Sequence, residues 1–355
     1  MHHWKNIFKK VNSGSRIDAD DALLLLNHAE TLNLADLANR MRKRLHPEPV
    51  VTYVVDRNIN YTNICKSGCR FCAFYHDSDK PGGYVISEKD LAAKIKETLS
   101  LGGTQILLQG GLNPAIHFKD YLKMLHFIKD NFNIHIHGFS PPEILFMAEK
   151  SSLSITETLA RLMEAGLGSI PGGGAEILVD DVRVQISPNK YLSGQWLDVM
   201  RTAHKLGLKT TATMMFGHIE TNAHIIEHLI KIRDLQNETK GFTAFIPWTF
   251  QPGNTRLKVT EATAVEYLRV LAVSRLVLDN VLNIQASWVT QGEKIAQAAL
   301  VFGANDLGST MIEENVVAAA GVKFRLPKEE MIRLIQDAGY EPRQRDCFYN
   351  AVKTG

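Results

Sequence analysis

Three cysteines stand within eight positions, Cys65, Cys69 and Cys72, in the segment Asn63-Ile64-Cys65-Lys66-Ser67-Gly68-Cys69-Arg70-Phe71-Cys72. The C-x3-C-x2-C spacing lets three thiolates wrap around one compact metal centre, and Gly68 permits the tight turn this needs. Three local ligands are one short of a closed four-thiolate site. An iron–sulfur cube held this way keeps one iron free of protein, which suits chemistry on a bound molecule better than simple electron transfer. Zinc is the alternative metal, with His76 as fourth ligand, although structural zinc is usually held by closed sets with paired cysteines. The remaining cysteine, Cys347, either completes a four-thiolate cluster or is a small buried residue. Such crowding of three cysteines is a poor disulfide framework and a good metal-site pattern, consistent with a reducing compartment.

The rest of the composition narrows the partners. With 355 residues, 45% of them hydrophobic, the chain is long enough for one large domain with a sizeable core. A net charge of +2 and no long basic stripe argue against nucleic acid; the run Arg40-Met41-Arg42-Lys43-Arg44 reads as a solvated helix face. No apolar segment has the length needed to cross a bilayer, and Met1–Gly14 lacks the apolar stretch of a signal peptide. The expectation is a cytoplasmic protein without membrane contact.

Elements that would carry the cysteines follow from hydrophobic periodicity. Residues 17–45 read as two short helices, with acidic capping at Asp18–Asp21, and His46-Pro47-Glu48-Pro49 ends this preface. Strands are expected at 51–64, 105–109, 134–139, 168–171, 210–216, 243–248, 283–289 and 304–307. Amphipathic helices fall between them, for example 87–101, 118–132, 154–165 and 193–206. This α/β alternation predicts a (β/α)8 TIM-type barrel over 50–326, with an N-terminal helical preface (1–49) and a C-terminal extension (327–355) made of a helix and a polar tail. Gly-, Pro- and polar-rich turns follow most strands: Gln109–Pro114, Phe139–Glu143, Pro171–Glu176, Gly217–Glu220 and Pro247–Asn254. Strand C-terminal ends form the catalytic face of such barrels, so five such loops point to one shared site.

At this stage the cysteine segment, with aromatic Phe71 before the last ligand, resembles the signature of the radical S-adenosylmethionine (SAM) superfamily. The likeness extends to Asn58–Asn63, Cys72-Ala73-Phe74-Tyr75, the Gln109–Pro114 turn, His135–Ile144, Ser169–Glu176 and Thr211–His218. These motifs resemble the branch containing the futalosine-pathway menaquinone enzymes and the deazaflavin synthases, over about 51–349. Within it, Phe245-Ile246-Pro247-Trp248-Thr249-Phe250-Gln251-Pro252-Gly253-Asn254-Thr255 and Gln109 are most similar to the cyclic dehypoxanthinyl futalosine synthase family. Aminofutalosine synthase is the nearest competitor, and Asn113 departs from the His expected in relatives. The resemblance implies a [4Fe-4S] cluster on Cys65, Cys69 and Cys72, SAM on the open iron, a small nucleoside-like substrate, and an electron donor such as flavodoxin or ferredoxin.

It also implies roles. Phe74 would face the adenine, although it can equally be a core aromatic. Gln109, Gly110 and Gly111 would receive the methionyl amino group, or form a plain β-to-α turn. Ser140 and Glu176 are candidates for the carboxylate and ribose hydroxyls of SAM, since a carboxylate accepts two bonds from a diol, and Arg183 is a further candidate for the carboxylate. Strand alternation puts His135 and His137 on one face; in the reaction the resemblance implies, either would contact the substrate benzoate or accept the final proton, with His218 as competitor, and either can equally be a satisfied structural histidine. Gln285 and Ser287 repeat the inward-polar pattern and are candidates for ribose hydroxyls. Gly172–Gly174 lack the Lys-Ser/Thr of a phosphate cradle and read instead as bare backbone leaving room for SAM.

Overall fold

The computed structural model describes residues 2–77 and 80–352. Helix starts follow local capping. Asp18 caps the helix Ala19–His28 by accepting from the Asp21 N–H at 2.8 Å, and Asp21 reciprocates. Ser154 with Glu157 and Thr263 with Glu266 build the same reciprocal box ahead of Ile155–Ala165 and Ala264–Val277. Helices His2–Asn12, Ala19–His28 and Thr31–Leu45 precede the sheet.

The strands are β1 (Val50–Val54), β2 (Asp56–Asn60), β3 (Gln105–Gln109), β4 (His135–Gly138), β5 (Ser169–Ile170), β6 (Lys209–Phe216), β7 (Phe242–Thr249), β8 (Asn283–Ile284), β9 (Asp306–Ser309) and β10 (Glu341–Gln344). Strands β2 to β8 pair in chain order as one parallel, curled sheet. The seam between its ends is spanned by β9. The Ala286 N–H donates to the Asp306 carbonyl at 2.9 Å on one side, and the Thr52 N–H donates to the Asn305 carbonyl at 3.1 Å on the other. The expected α/β barrel of the TIM type is therefore present as a curled parallel sheet with flanking helices.

Three local expectations change. The long first strand divides at Val55, so β1 pairs with β9 and β10 while β2 enters the main sheet. The seventh strand stops at Ile284, because a short helix begins at Trp288. In the C-terminal extension, the polar tail contributes β10, paired with β1 in the register Val50↔Glu341 to Tyr53↔Gln344. Its sequence, Glu-Pro-Arg-Gln, carries no apolar alternation to reveal a strand.

Strand alternation sorts the side chains. Ile106, Leu108 and Ile136 are buried toward the helices, while Gln105, Leu107, Gln109, His137, Thr211 and Thr213 line the interior. The interior thus sets polar side chains among apolar ones, where the outer layer is apolar. Among the described residues no helix is long and apolar enough to cross a membrane.

Candidate active site

The loop after β2 carries the cysteines. Gly68 adopts φ +54°, the left-handed turn that favours glycine, and neighbours pin the loop from several elements. The Arg256 guanidinium donates to the Gly68 carbonyl, the Arg70 N–H to Ile186 O at 2.8 Å, and the Lys66 N–H to Leu112 O at 3.1 Å. All three cysteines face a chamber of about 200 Å³, lined also by Phe71, Phe74, Tyr75, Gly110 and Gly111. Burial pushes the Cys69 thiol up to about 11, and burial also raises Cys72 against the N–H groups of Phe74 and Tyr75. A metal is what makes thiolates affordable in such a place.

A three-thiolate set around an open chamber fits an iron–sulfur cube with one free corner. It does not fit zinc. Among the described residues no three His, Cys, Asp or Glu side chains gather tightly enough for one ion. His76 Nδ1 instead lies 3.1 Å from the Asp77 carbonyl, while its backbone pairs with the loop. Cys347 does not complete the cluster either; it lines a different cavity, with its Sγ 3.2 Å from Ser169 Oγ.

The Gly110-Gly111 turn lies against the cysteine loop. A Cβ on Gly111 would overlap the Ile64 carbonyl oxygen, and one on Gly110 would strike the Tyr61 ring. The turn is anchored by Glu143, a residue not singled out from the sequence. One Glu143 oxygen accepts from Tyr61 Oη at 2.7 Å and Gly110 N–H at 2.9 Å; the other accepts from Ser140 N–H at 2.7 Å and Ser140 Oγ at 2.5 Å. Its only signal was the Ser-x-x-Glu capping spacing from Ser140. Ser140 lines the chamber, but its proton is committed to Glu143, so it meets a ligand as an acceptor and not as a donor. Asn113 sits behind the turn, donating to Thr62 Oγ1 at 3.1 Å.

Glu176 occupies a left-handed backbone position, φ +41°, and is nearly fully buried. Lys190 Nζ donates to its Oε1 at 2.7 Å, while Oε2 has no hydrogen-bond partner and Arg183 stands 3.5 Å away. Such an unsatisfied buried carboxylate oxygen is what a ligand hydroxyl would complete. Burial works against the Lys190 charge, but Glu176 and Cys69 raise its pKa and keep it cationic. Lys190 also lies over the Phe71 ring at 5.5 Å. Nothing in the local sequence distinguished it.

Arg183 does not offer its fork to a ligand. Its five N–H groups point to the carbonyls of Gly174, Ala175, Ile177 and Tyr191, so it holds the loop's shape. The glycines at 172–174 also have a packing reason. A Cβ would meet the Ala212–Thr213 backbone at Gly172, the Gln109 amide at Gly173 and Pro142 at Gly174. They let the loop press on protein on one side, while its backbone also lines the barrel cavity.

Behind the cluster chamber lies a second cavity of about 280 Å³ inside the barrel. Gln109 and Val316 line both spaces, so they meet there. Ile246, Trp248, Gln285 and Ser287 form one wall. Ser287 bonds Thr290 at 3.0 Å between hydroxyls, and its N–H donates to Tyr267 Oη at 2.7 Å. The tail supplies the floor: Arg345 donates to both oxygens of the buried Asp306, at 2.5 and 3.0 Å, and lies over the Tyr349 ring at 4.0 Å. Gln105 Oε1, Glu176 Oε2 and Tyr349 Oη are three buried polar atoms of this lining without partners.

The histidines separate. His137 lines the cavity, whereas His135 lies at the base against Phe348, ring centroids 5.0 Å apart. His218 lies outside both chambers. Its ring is held with Nδ1 2.8 Å from Glu220 and Nε2 3.2 Å from the Met215 carbonyl. The structure therefore does not bring it to either chamber.

Two histidines will make the protein acid-sensitive. Full burial, aided by His135 and Arg345, pushes His137 down to about 3; burial with Arg183 and Lys231 does the same to His228. Both folded-state values lie below the ordinary value of 6.5, so their contribution is fully present above that pH and is lost as pH falls toward 3. Together they should lower the unfolding free energy by about 2 kcal/mol between pH 6.5 and 5.5. Urea unfolding across that window measures it, and a flat profile would contradict the assignment.

Comparison with known proteins agrees with this geometry. Residues 59–232 match the model of the radical SAM superfamily, and residues 239–354 match that of the CofH/MqnC C-terminal region. The chain is 44% identical to the cyclic dehypoxanthine futalosine synthase of Halalkalibacterium halodurans, over 98% of this chain and 95% of the relative. It is 40% identical to the 5-amino-6-(D-ribitylamino)uracil–L-tyrosine 4-hydroxyphenyl transferase of Methanococcus aeolicus, over 96% of this chain and 98% of the relative. Among solved structures, the FeFe-hydrogenase maturase HydG of Carboxydothermus hydrogenoformans superposes with a TM-score of 0.77 at 15% identity, covering 97% of this chain and 80% of that one. Methylornithine synthase gives 0.71 at 19% identity, covering 95% and 97%; both show the fold. The three-thiolate chamber, the curled sheet and these matches together establish that the chain belongs to the radical SAM superfamily, in its CofH/MqnC branch.

Proposed function

We propose that this enzyme closes a ring within one nucleoside-like molecule, converting dehypoxanthine futalosine to its cyclic form in menaquinone synthesis. The observation carrying this reading is the 44% identity, over nearly the whole chain, to cyclic dehypoxanthine futalosine synthase. The Phe245–Thr255 segment that suggested it from the sequence supports it further, because Ile246 and Trp248 stand in the cavity wall.

When bound, the cluster and SAM supply a 5′-deoxyadenosyl radical at the mouth of the barrel. The chain's own residues hold the substrate in the interior, with the ribose C4′ hydrogen toward Gln109 and the cluster chamber. Glu176 accepts hydroxyl hydrogen bonds, and the Ile246–Trp248 wall flattens the aryl ring beside the sugar. Holding the two reacting ends in one cavity makes ring closure an intramolecular event. The apolar walls keep water from the radical. His137 stands on the cavity lining as acceptor for the proton lost when aromaticity returns. A small reduced carrier such as flavodoxin or ferredoxin delivers the electron, and the setting is the cytoplasm.

A second reading is 4-hydroxyphenyl transfer to a ribitylaminouracil, favoured by the 40% identity to enzymes of that name. Anaerobically reconstituted enzyme, given dithionite and SAM, should turn dehypoxanthine futalosine into a cyclised product with one 5′-deoxyadenosine each. Product formed only from tyrosine and the aminouracil selects the second reading; deoxyadenosine without cyclised product sinks the first.

A further inference from the structure

Ser169 on β5 receives two histidines from β4. His137 Nδ1 and His135 Nε2 each lie 2.7 Å from its Oγ, and Cys347 Sγ lies 3.2 Å away. A hydroxyl has one proton, so it can donate to only one of them. Of the two possible arrangements, one leaves a base facing the cavity. In it, His137 Nδ1–H and the Cys347 thiol donate to Ser169, and Ser169 donates to His135 Nε2. This leaves His137 Nε2 as a bare acceptor without a protein partner among the described residues, on a residue that lines the cavity. At the other end, His135 is only half-buried at the base of the barrel, next to exposed Phe348.

We propose that His137, Ser169 and His135 form a proton relay that carries a proton from the barrel cavity to solvent at the opposite end from the cluster. The identity of that proton rests on the cyclase reading. The ring-closed aryl radical loses a proton to His137 Nε2 and an electron to an oxidised one-electron acceptor of the iron–sulfur class. His137 passes its Nδ1 proton to Ser169 Oγ, Ser169 passes its own to His135 Nε2, and His135 releases its Nδ1 proton to water. One proton enters and one leaves, with each ring changing tautomer. A relay is needed because an imidazolium cannot persist at His137: burial, His135 and Arg345 all oppose its charge. Ser169 and His135 are therefore positioning and transfer residues, acting through His137.

Two measurements test the relay on the cluster-loaded enzyme. In Ser169→Ala, turnover should fall by about a hundredfold, with KM within about a factor of two and first-turnover 5′-deoxyadenosine unchanged. An organic radical should accumulate in freeze-quenched samples. His135→Phe, which retains a ring against Phe348, should reproduce this, and it serves if Ser169→Ala does not fold. Turnover within about twofold of the unaltered enzyme in both variants overturns the relay. The second measurement needs no substrate. Nitrogen-15 NMR near pH 7.5 should find His137 protonated on Nδ1 and His135 bare on Nε2; a proton on His137 Nε2 overturns the relay even if the cyclase reading holds. Absence of cyclised product from the unaltered enzyme removes the cyclase reading instead, and leaves the tautomer test standing.

Discussion

Replacing Cys69 with alanine will give a folded, colourless protein that binds less than about one iron per chain after reconstitution, with 5′-deoxyadenosine formation at least about a thousandfold lower. Two local thiolates cannot close the cube, and the chamber offers no substitute. His76 is turned to the Asp77 carbonyl, and Cys347 lines the other cavity. Stability should fall only by about 1 kcal/mol, because the buried thiol is neutral without metal and alanine leaves a small void. Cys347→Ala is the control and should retain the full visible absorption band. Iron and absorbance at unaltered levels in Cys69→Ala would remove that residue from the ligand set.

The second large effect belongs to Glu143. Its two oxygens satisfy four donors on three elements, in a site where its own carboxyl pKa is raised by burial and partly restored by those bonds. Glu143→Ala strands Tyr61 Oη and the N–H groups of Gly110 and Ser140 in a dry interior, which should cost about 3–5 kcal/mol. Glu143→Gln keeps one accepting oxygen but presents an amide N–H to donors on the other side, and should cost about 1–3 kcal/mol. Because Gly110 begins the turn beside Cys65, SAM affinity should drop about tenfold even in the glutamine variant. Urea midpoints and equilibrium SAM binding measure the two effects. An alanine variant as stable as the parent would show that the hub is dispensable.

Much of this was legible beforehand, for identifiable reasons. The cysteine triplet and the strands at 105–109, 135–138 and 209–216 rest on spacing and alternation, which local sequence records directly. His135 and His137 were correctly placed on one strand face, yet that alternation could not separate the lining residue from the one at the base. Arg183 and the glycines at 172–174 look like ligand-binding chemistry, but Arg183 is spent on carbonyls of its own loop, and the glycines pack on residues distant in sequence, Ala212–Thr213, Gln109 and Pro142. Lys190 and Tyr349 were missed for the converse reason. Neither belongs to a local motif, and each is brought to the site by folding alone. The division at Val55 coincides with a change from the apolar stretch 50–55 to the polar Asp56–Asn60, but a strand can continue across such a change, and only pairing with β9 and β10 separates the two.

That pairing bears on the order in which the molecule can be made. β1 is among the first strands to leave the ribosome, yet both of its neighbours come from the last sixth of the chain. The cavity floor, with Arg345 on Asp306 and Tyr349 beside it, is likewise translated after every strand of the main sheet. A nascent chain therefore exposes its cysteine loop long before the vessel behind it has a bottom. Radical chemistry in such an open form would meet water and unintended C–H bonds. The topology makes competence wait for the segment around β10, whose arrival seals the reaction space.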